Sequence, residues 1–493
     1  MKSRWRLVLG MLAGVLSPAS YATLTMHDQA SMPTMTGTVS ASLREQLTHL
    51  TLGDAIYLGL RNNPSIRSAY LQRITQKFDL RVAEDTFRPK LSLKSSYMNT
   101  QGSNDRTRNV ELSPTANLLG EYGTRLSLGW ARQMHASDSA AGLRRDGLDL
   151  AVIQPLLRGA GREVTTAPLR MARLAEQAER LNLKAAVSRT VAEISTAYRD
   201  LLRAQEQLSI VEEALVRAES LLAVNQALIQ AGRMAEFEIV QTQADIAAQQ
   251  LGVEEARNEL DNSRLALLRM LALDLSLAVR ATEVLEASHL SIDRRDALRL
   301  AQAQQPEYLS TLLQSQQAEL NLIVARDQSR WDLSLVAGAN QMTDRYDDGV
   351  GSGRRWERYA GVQLEIPIGD RSTRQAEVRA RVNQQTLEIA QAETRQALEN
   401  DVTTVVRELG TLWRQYEIAQ RSAQLSQRKL DIEREKLAAG RSSNFQVISF
   451  ESDLRHAQST RLGALIAYLN AQTRLQLTLG MILESWEIAL NDH

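Results

Sequence analysis

The 493-residue chain has no cysteine. That excludes disulfides, thiolate metal sites and lipid attachment through an N-terminal Cys. Aromatic residues make up only 4% of it, and Ala, Leu, Gln, Arg and Glu dominate, a composition of long helices more than of a compact mixed core. Charge of one sign is also missing: 58 basic residues balance 58 acidic ones, so no nucleic-acid partner is expected. Proline is scarce, and none occurs between Pro168 and Pro306. No segment after the N-terminus is apolar for long enough to form a transmembrane helix. The six histidines (His27, His49, His135, His289, His456, His493) are scattered without metal-ligand spacing. Gly159-Ala-Gly161 lacks the third glycine of a dinucleotide loop, and there is no P-loop or nucleophile elbow. These absences argue against an enzyme and against any cofactor.

What is present begins with residues 1–22, which read as a secretory signal. Lys2, Arg4 and Arg6 precede the apolar run Leu7 to Leu16, and Ser20-Tyr21-Ala22 offers a small-x-small cleavage site. Cleavage would leave 55 basic against 58 acidic residues, a net charge of −3. Residues 23–44, rich in Thr, Ser and Met, read as a flexible lead-in.

The longest signal runs from Val187 to Gly232. Val187, Val191, Ile194, Tyr198, Leu201, Ala204, Leu208, Val211, Leu215, Ala218 and Leu222 recur every three or four residues. That 3.5-residue period is the period of a left-handed coiled coil. With no proline to interrupt it, the stretch 166–230 predicts a rod of roughly 100 Å.

The chain is duplicated. Thr51, spaced as a helix N-cap from Asp54, and Pro64, Leu71-Gln72, Asp85, Arg88 and Leu91-Ser92-Leu93 recur 242 residues later as Asp293 with Asp296, Pro306, Leu313-Gln314, Asp327, Arg330 and Leu333-Ser334-Leu335. Ala231-Gly232-Arg233 recurs as Ala439-Gly440-Arg441 at an offset of 208, and Phe237 and Asp245 recur as Phe445 and Asp453. A first repeat therefore spans 45–290, with strands within 90–155 and a hairpin tip at Gly232. A second spans 291–485, with strands within 332–367 and a tip at Gly440, and 486–493 is a tail. Each repeat reads as helices, strands, a long helix out, a glycine turn and a helix back.

The strand regions alternate weakly, as in Leu126, Leu128 and Trp130 or Leu148, Leu150 and Val152, and resemble outer-membrane barrel strands. Trp130, Tyr97, Trp356 and Tyr359 are candidates for an interfacial aromatic belt. Leu93 to Pro155 is 62 residues and Leu335 to Pro367 is 32. The extra 30 are the size of one hairpin, which would either add two strands or form an external loop.

Leu52-Gly-Asp-Ala-Ile with Asn62-Asn63-Pro64, the segments Gln154-Pro-Leu-Leu-Arg-Gly159 and Ile366-Pro-Ile-Gly369, and the paired tips occur in an order that resembles the TolC family of outer-membrane efflux proteins. The likeness covers about Leu52 to Leu483. It implies a mainly α protein with a transmembrane β-barrel: a homotrimer whose strands share one barrel and whose coiled-coil hairpins form a periplasmic α-helical tunnel. It implies passive exit for substrates of a tripartite efflux pump, with outer-membrane lipid, a periplasmic adaptor and an inner-membrane pump as partners. An exit duct for polypeptides from an ABC exporter is the alternative, and a non-conducting periplasmic coiled-coil or adhesive protein a remote one. At the tips, Gly232, Arg233, Phe237, Gly440, Arg441 and Phe445 are the expected docking residues. Family acids near the second tip are replaced here by Gln446 and Ser449, so Asp453, with Asp245 and Glu238, is the expected tunnel-mouth constriction.

Overall fold

The computed structural model describes residues 49–490 apart from 103–105, 138–141, 347–352 and 370. The expected signal peptide, the lead-in and the last three residues of the tail lie outside the described residues.

Each repeat opens with two capped helices. In the first, α1 (Leu52–Asn62) starts at a reciprocal box: the Asp54 amide donates to Thr51 Oγ1 at 3.1 Å and the Thr51 amide to Asp54 Oδ2 at 3.2 Å. Asn63 then caps α2 (Pro64–Glu84), accepting from the Ser65 amide at 2.9 Å, while Pro64 fills the first turn, where no amide is needed. A two-residue strand β1 (His49–Leu50) precedes them.

Four strands follow: β2 (Lys90–Gln101), β3 (Arg106–Leu119), β4 (Arg125–Ser137) and β5 (Leu143–Pro155). After a short helix α3 (Arg162–Thr165) comes α4 (Ala167–Gln230), 64 residues and roughly 100 Å long. It turns into α5 (Glu238–Met270), and the chain returns through β6 (Arg280–Ala281), which pairs in parallel with β1.

The second repeat is α6 (Arg294–Gln304), α7 (Pro306–Gln328), β7 (Asp332–Tyr346), β8 (Gly353–Glu365), α8 (Ser372–Ala438) and α9 (Asn444–Leu479). A last turn, α10 (Ile482–Ser485), closes the described chain.

The six long strands form one antiparallel sheet in the order β2-β3-β4-β5-β7-β8. The 30 extra residues of the first repeat are therefore a hairpin within the sheet and no external loop. Its turn is locked to the helical region. Gly123, at φ +88°, lies where a Cβ would stand 2.1 Å from the Gly159 carbonyl oxygen. The Gly161 amide donates to the Tyr122 carbonyl at 3.2 Å, and Arg162 pairs with Glu121 at 2.9 Å.

The register sorts the faces. Leu91, Leu93, Leu112, Leu126, Leu128, Leu148, Leu150, Val152, Leu335 and Val362 share one face, with Trp130, Tyr97 and Trp356 among them. Tyr359 is a correction: three residues from Trp356, it points to the other face and covers Gly338, where a Cβ would lie 2.4 Å from its ring. An aromatic ring filling the space over a strand glycine replaces the missing side-chain packing, so Tyr359 is no part of a belt.

The helices pack as hairpins, α4 against α5 and α8 against α9, with α2 and α7 covering the sheet-proximal part of α4 and α7 also against α8. Val187, Val191, Ile194, Tyr198 and Leu201 are fully buried in one core with α1 and α5. Val402, Val405, Leu409 and Tyr468 build the equivalent core of the second repeat. The Tyr198 hydroxyl donates to the Leu50 carbonyl at 2.8 Å, and burial pushes its pKa above the usual tyrosine value. Beyond Val211 the buried apolar positions of α4 are Ala214, Ala218 and Leu221; Ala218 is on the expected stripe, and the other two stand one residue ahead of the expected Leu215 and Leu222. There α4 serves the second hairpin too: Leu221 packs with Leu430, Leu437, Val447 and Leu454.

Candidate functional site

The two tips have one backbone design. The Gly232 amide donates to the Ile229 carbonyl (2.8 Å) and the Arg233 amide to that of Leu228 (2.8 Å). In the second tip Gly440 donates to Leu437 (2.9 Å) and Arg441 to Lys436 (2.8 Å). Both are Schellman caps, which need a left-handed residue, and φ is +70° at Gly232 and +71° at Gly440. The tips also meet: an Arg233 guanidinium nitrogen lies 3.1 Å from where a Gly440 Cβ would be. Phe237 and Phe445 are 74% and 63% exposed, a pair of apolar side chains offered to solvent at one end of the molecule. The expected docking residues are thus gathered on one surface.

Their side-chain wiring differs. Ser443 caps α9, accepting from the Gln446 amide, whereas no side chain caps α5. Glu433 is tied down by the Ser442 hydroxyl at 2.5 Å and Lys436 at 3.0 Å, and these two bonds hold its carboxyl below the usual glutamate range. At the matching position of the first repeat stands Asn225, fully buried, its amide nitrogen donating to Thr242 Oγ1 (2.8 Å) and Asn444 Oδ1 (2.7 Å). Farther along, Glu451 is buried between Arg217 of α4 (2.9 Å) and Arg434 of α8. These contacts stitch one hairpin to the other. They were not among the expected site residues. Asn225 was legible as a polar residue three positions past Leu222 on the heptad stripe, a place where asparagine fixes register.

Asp453 is half exposed, and its carboxylate lies 2.9 Å from Lys429 Nζ, so its charge is offset locally. Asp245 accepts from Gln249 at 3.1 Å, and Gln249 in turn receives Arg455 of α9 at 2.7 Å. Glu238 presents its carbonyl to Asn444. Asp245 and Glu238 therefore lie along the seam between hairpins. Among the described residues no group of three or more His, Cys, Asp or Glu could hold a metal ion, and no helix is long and apolar enough to cross a membrane.

At the opposite end the sheet is open. β8 is exposed along its whole length and β2 along nearly all of it, and each presents one unpaired edge. Strands of 12 and 13 residues with bare edges are a template for pairing.

No protein-family model and no curated protein matches the chain. Solved structures do. The outer membrane channel CmeC of Campylobacter jejuni aligns over 87% of this chain and 85% of its own at 17% identity, with a TM-score of 0.66. The outer membrane protein VceC of Vibrio cholerae aligns over 87% and 96% at 15% identity (TM-score 0.67), and the open state of the Neisseria gonorrhoeae MtrE outer membrane channel over 87% and 89% at 16% (TM-score 0.66). The chain has the fold of these outer-membrane channels. The sheet-and-hairpin architecture expected from the sequence is thus present, although one chain leaves its sheet unclosed.

Proposed function

We propose that the protein is an outer-membrane channel-tunnel, a homotrimer giving passive exit to the substrates of a tripartite efflux pump. The observation that carries this reading is the open six-stranded sheet with two bare edges, set above helices roughly 100 Å long. Unpaired strand edges in hydrocarbon cost several kcal/mol per group, so a spanning sheet must close. β2 and β8 run in opposite directions, so β8 of one copy can pair antiparallel with β2 of the next. Three copies of six strands would close about eighteen strands into a barrel wide enough for an aqueous lumen. The leucine face meets lipid and the polar face lines the lumen. The likeness to solved outer-membrane channels supports the same location, with the hairpins in the periplasm.

The paired tips are the surface for a periplasmic adaptor, with Phe237 and Phe445 as apolar anchors and Arg233 and Arg441 beside them. Since Lys429 accompanies Asp453, each protomer would bring that carboxylate to the tunnel mouth as an ion pair. An inner-membrane pump supplies the energy. Cell fractionation followed by mass measurement in detergent tests the reading. The expected result is a heat-modifiable outer-membrane complex of three chains, and a stable, water-soluble monomer would refute it.

A further inference from the structure

The leucine-bearing face of the sheet does not stay apolar to its far end. In the half of the strands away from the helices the pairing places Arg106 and Arg108 of β3 and Arg132 of β4 on that face. Arg144 of β5, Arg345 of β7 and Arg354 of β8 continue the line across the sheet. Asp146 is the one acid of this face among the described residues there, 3.5 Å from Arg132 and 3.9 Å from Arg345. At the same height the opposite face is close to balanced: Asp344 lies 2.8 Å from Arg145 and 3.4 Å from Arg355, and Glu111 and Lys94 are present too. The excess positive charge therefore lies mainly on the outer surface. Arg358 shares that face but lies on the helix side of Trp356, on the open edge, and stands apart from the line.

The order along the strands is leucines, then Trp130 and Trp356 in one row, then arginines. Arg354 places its guanidinium 5.5 Å from the Trp356 ring centre. An arginine on the lipid face costs about 2–4 kcal/mol at the bilayer midplane and little near the interface, so this line marks a headgroup level. All six cations are arginines, whose planar forks bind phosphate through two parallel hydrogen bonds.

We propose that this belt binds the phosphates of an anionic glycolipid in the outer leaflet. The proposal rests on the outer-membrane reading above, which puts the far end of the strands at the outer surface. The commitment to a lipid follows from position: the arginines ring the outside of the wall at the edge of its apolar band, where a headgroup is the anion at hand.

The test uses the full-length complex in non-ionic detergent, with binding of bisphosphorylated lipid A measured by native mass spectrometry. Arg108→Gln, Arg345→Gln and Arg354→Gln combined should weaken binding by about tenfold or more, since charge-assisted bonds are lost at three positions. Arg355→Gln, the next residue but on the lumen face, should leave binding unchanged, as should Arg354→Gln in a complex tested with dephosphorylated lipid A, where binding is already weak. Equal binding by the triple variant and the parent, or equal binding of the dephosphorylated lipid by the parent, would overturn the proposal. So would full competition by submillimolar inorganic phosphate, which would mark a site for the free ion. Single-channel conductance in a planar bilayer separates the two readings. A triple variant that conducts normally but has lost the lipid supports the belt, whereas a parent complex that never conducts refutes the duct itself.

Discussion

The two repeats agree closely in one part of the molecule and diverge in another. At the hairpin tips their glycines have φ of +70° and +71° and their caps use the same pairs of amides and carbonyls. In the sheet, the first repeat contributes four strands and the second two. The difference follows from what each part must match. A tip must end level with its neighbour, so helices change length only by whole turns that keep the stripe in phase. A sheet accepts an extra hairpin anywhere, because two strands restore the direction of the chain. The tips also show that shared backbone does not require shared wiring: Asn225 and Glu433 hold equivalent positions, yet one bonds across the hairpins and the other within its own turn.

The largest effect is expected where the repeats agree. Gly232→Val combined with Gly440→Val forces β-branched residues into positive φ, which costs about 1–3 kcal/mol at each site and distorts both turns. Adaptor co-purification and export should fall to background while trimers persist. Export that survives the pair of changes would break the assignment of the tips as the docking surface.

Next comes a position where the repeats differ. Glu451→Gln leaves Arg217 and Arg434 without their shared carboxylate, and breaking so buried a pair costs about 3–5 kcal/mol. Its counterpart in the first repeat, Gln243, is exposed, and Gln243→Ala should stay within about 0.5 kcal/mol. Thermal unfolding of the two variants decides whether the seam between hairpins depends on the second repeat in this way.

The inserted hairpin is tested at its turn. Gly123→Ala would place a Cβ 2.1 Å from the Gly159 oxygen at φ +88°, and should destabilise by about 1–3 kcal/mol. Gly129→Ala, with its nearest neighbour at 3.6 Å, should be much milder. Equal yields of heat-modifiable complex from both would mean that the insert is not built into the wall.

The smallest effect concerns acid. The Ser442 hydroxyl and Lys436 hold Glu433 below its ordinary value of 4.5. Its contribution is therefore full above that value and is lost as pH falls through the lower, folded-state value. Hydrogen exchange at residues 440–444 should quicken over that acid range, and Glu433→Gln should remove the pH step without changing the first tip.

Much of this was legible in the sequence for a physical reason. Period and spacing report the backbone: the 3.5-residue stripe gave the rods, and Thr51 with Asp54 and the repeated glycines marked caps and turns that the structure contains. Alternation in the strands puts Trp130 and Trp356 on one face, while Tyr359, an odd number of residues from Trp356, falls on the other. The partners of Asp453 and Glu451 were out of reach. Lys429 and Arg217 are distant in the chain or on another helix, and a coiled-coil pattern does not say which charged neighbours meet across it. The fate of the 30 extra residues was likewise open until the register of β3 and β4 placed them inside the sheet.

The central claim is that three copies close one barrel by pairing β8 of each with β2 of the next. Within one chain these strands lie at opposite edges of the sheet, five spacings of about 4.8 Å apart, beyond the reach of a short cross-linker. The chain has no cysteine, so a variant with Ser95→Cys on β2 and Val362→Cys on β8 carries the only two thiols. Treatment of cells with a short bismaleimide, followed by denaturing electrophoresis, should give covalent dimers and trimers and nothing larger. Monomers alone, or a ladder continuing past three, would contradict the account.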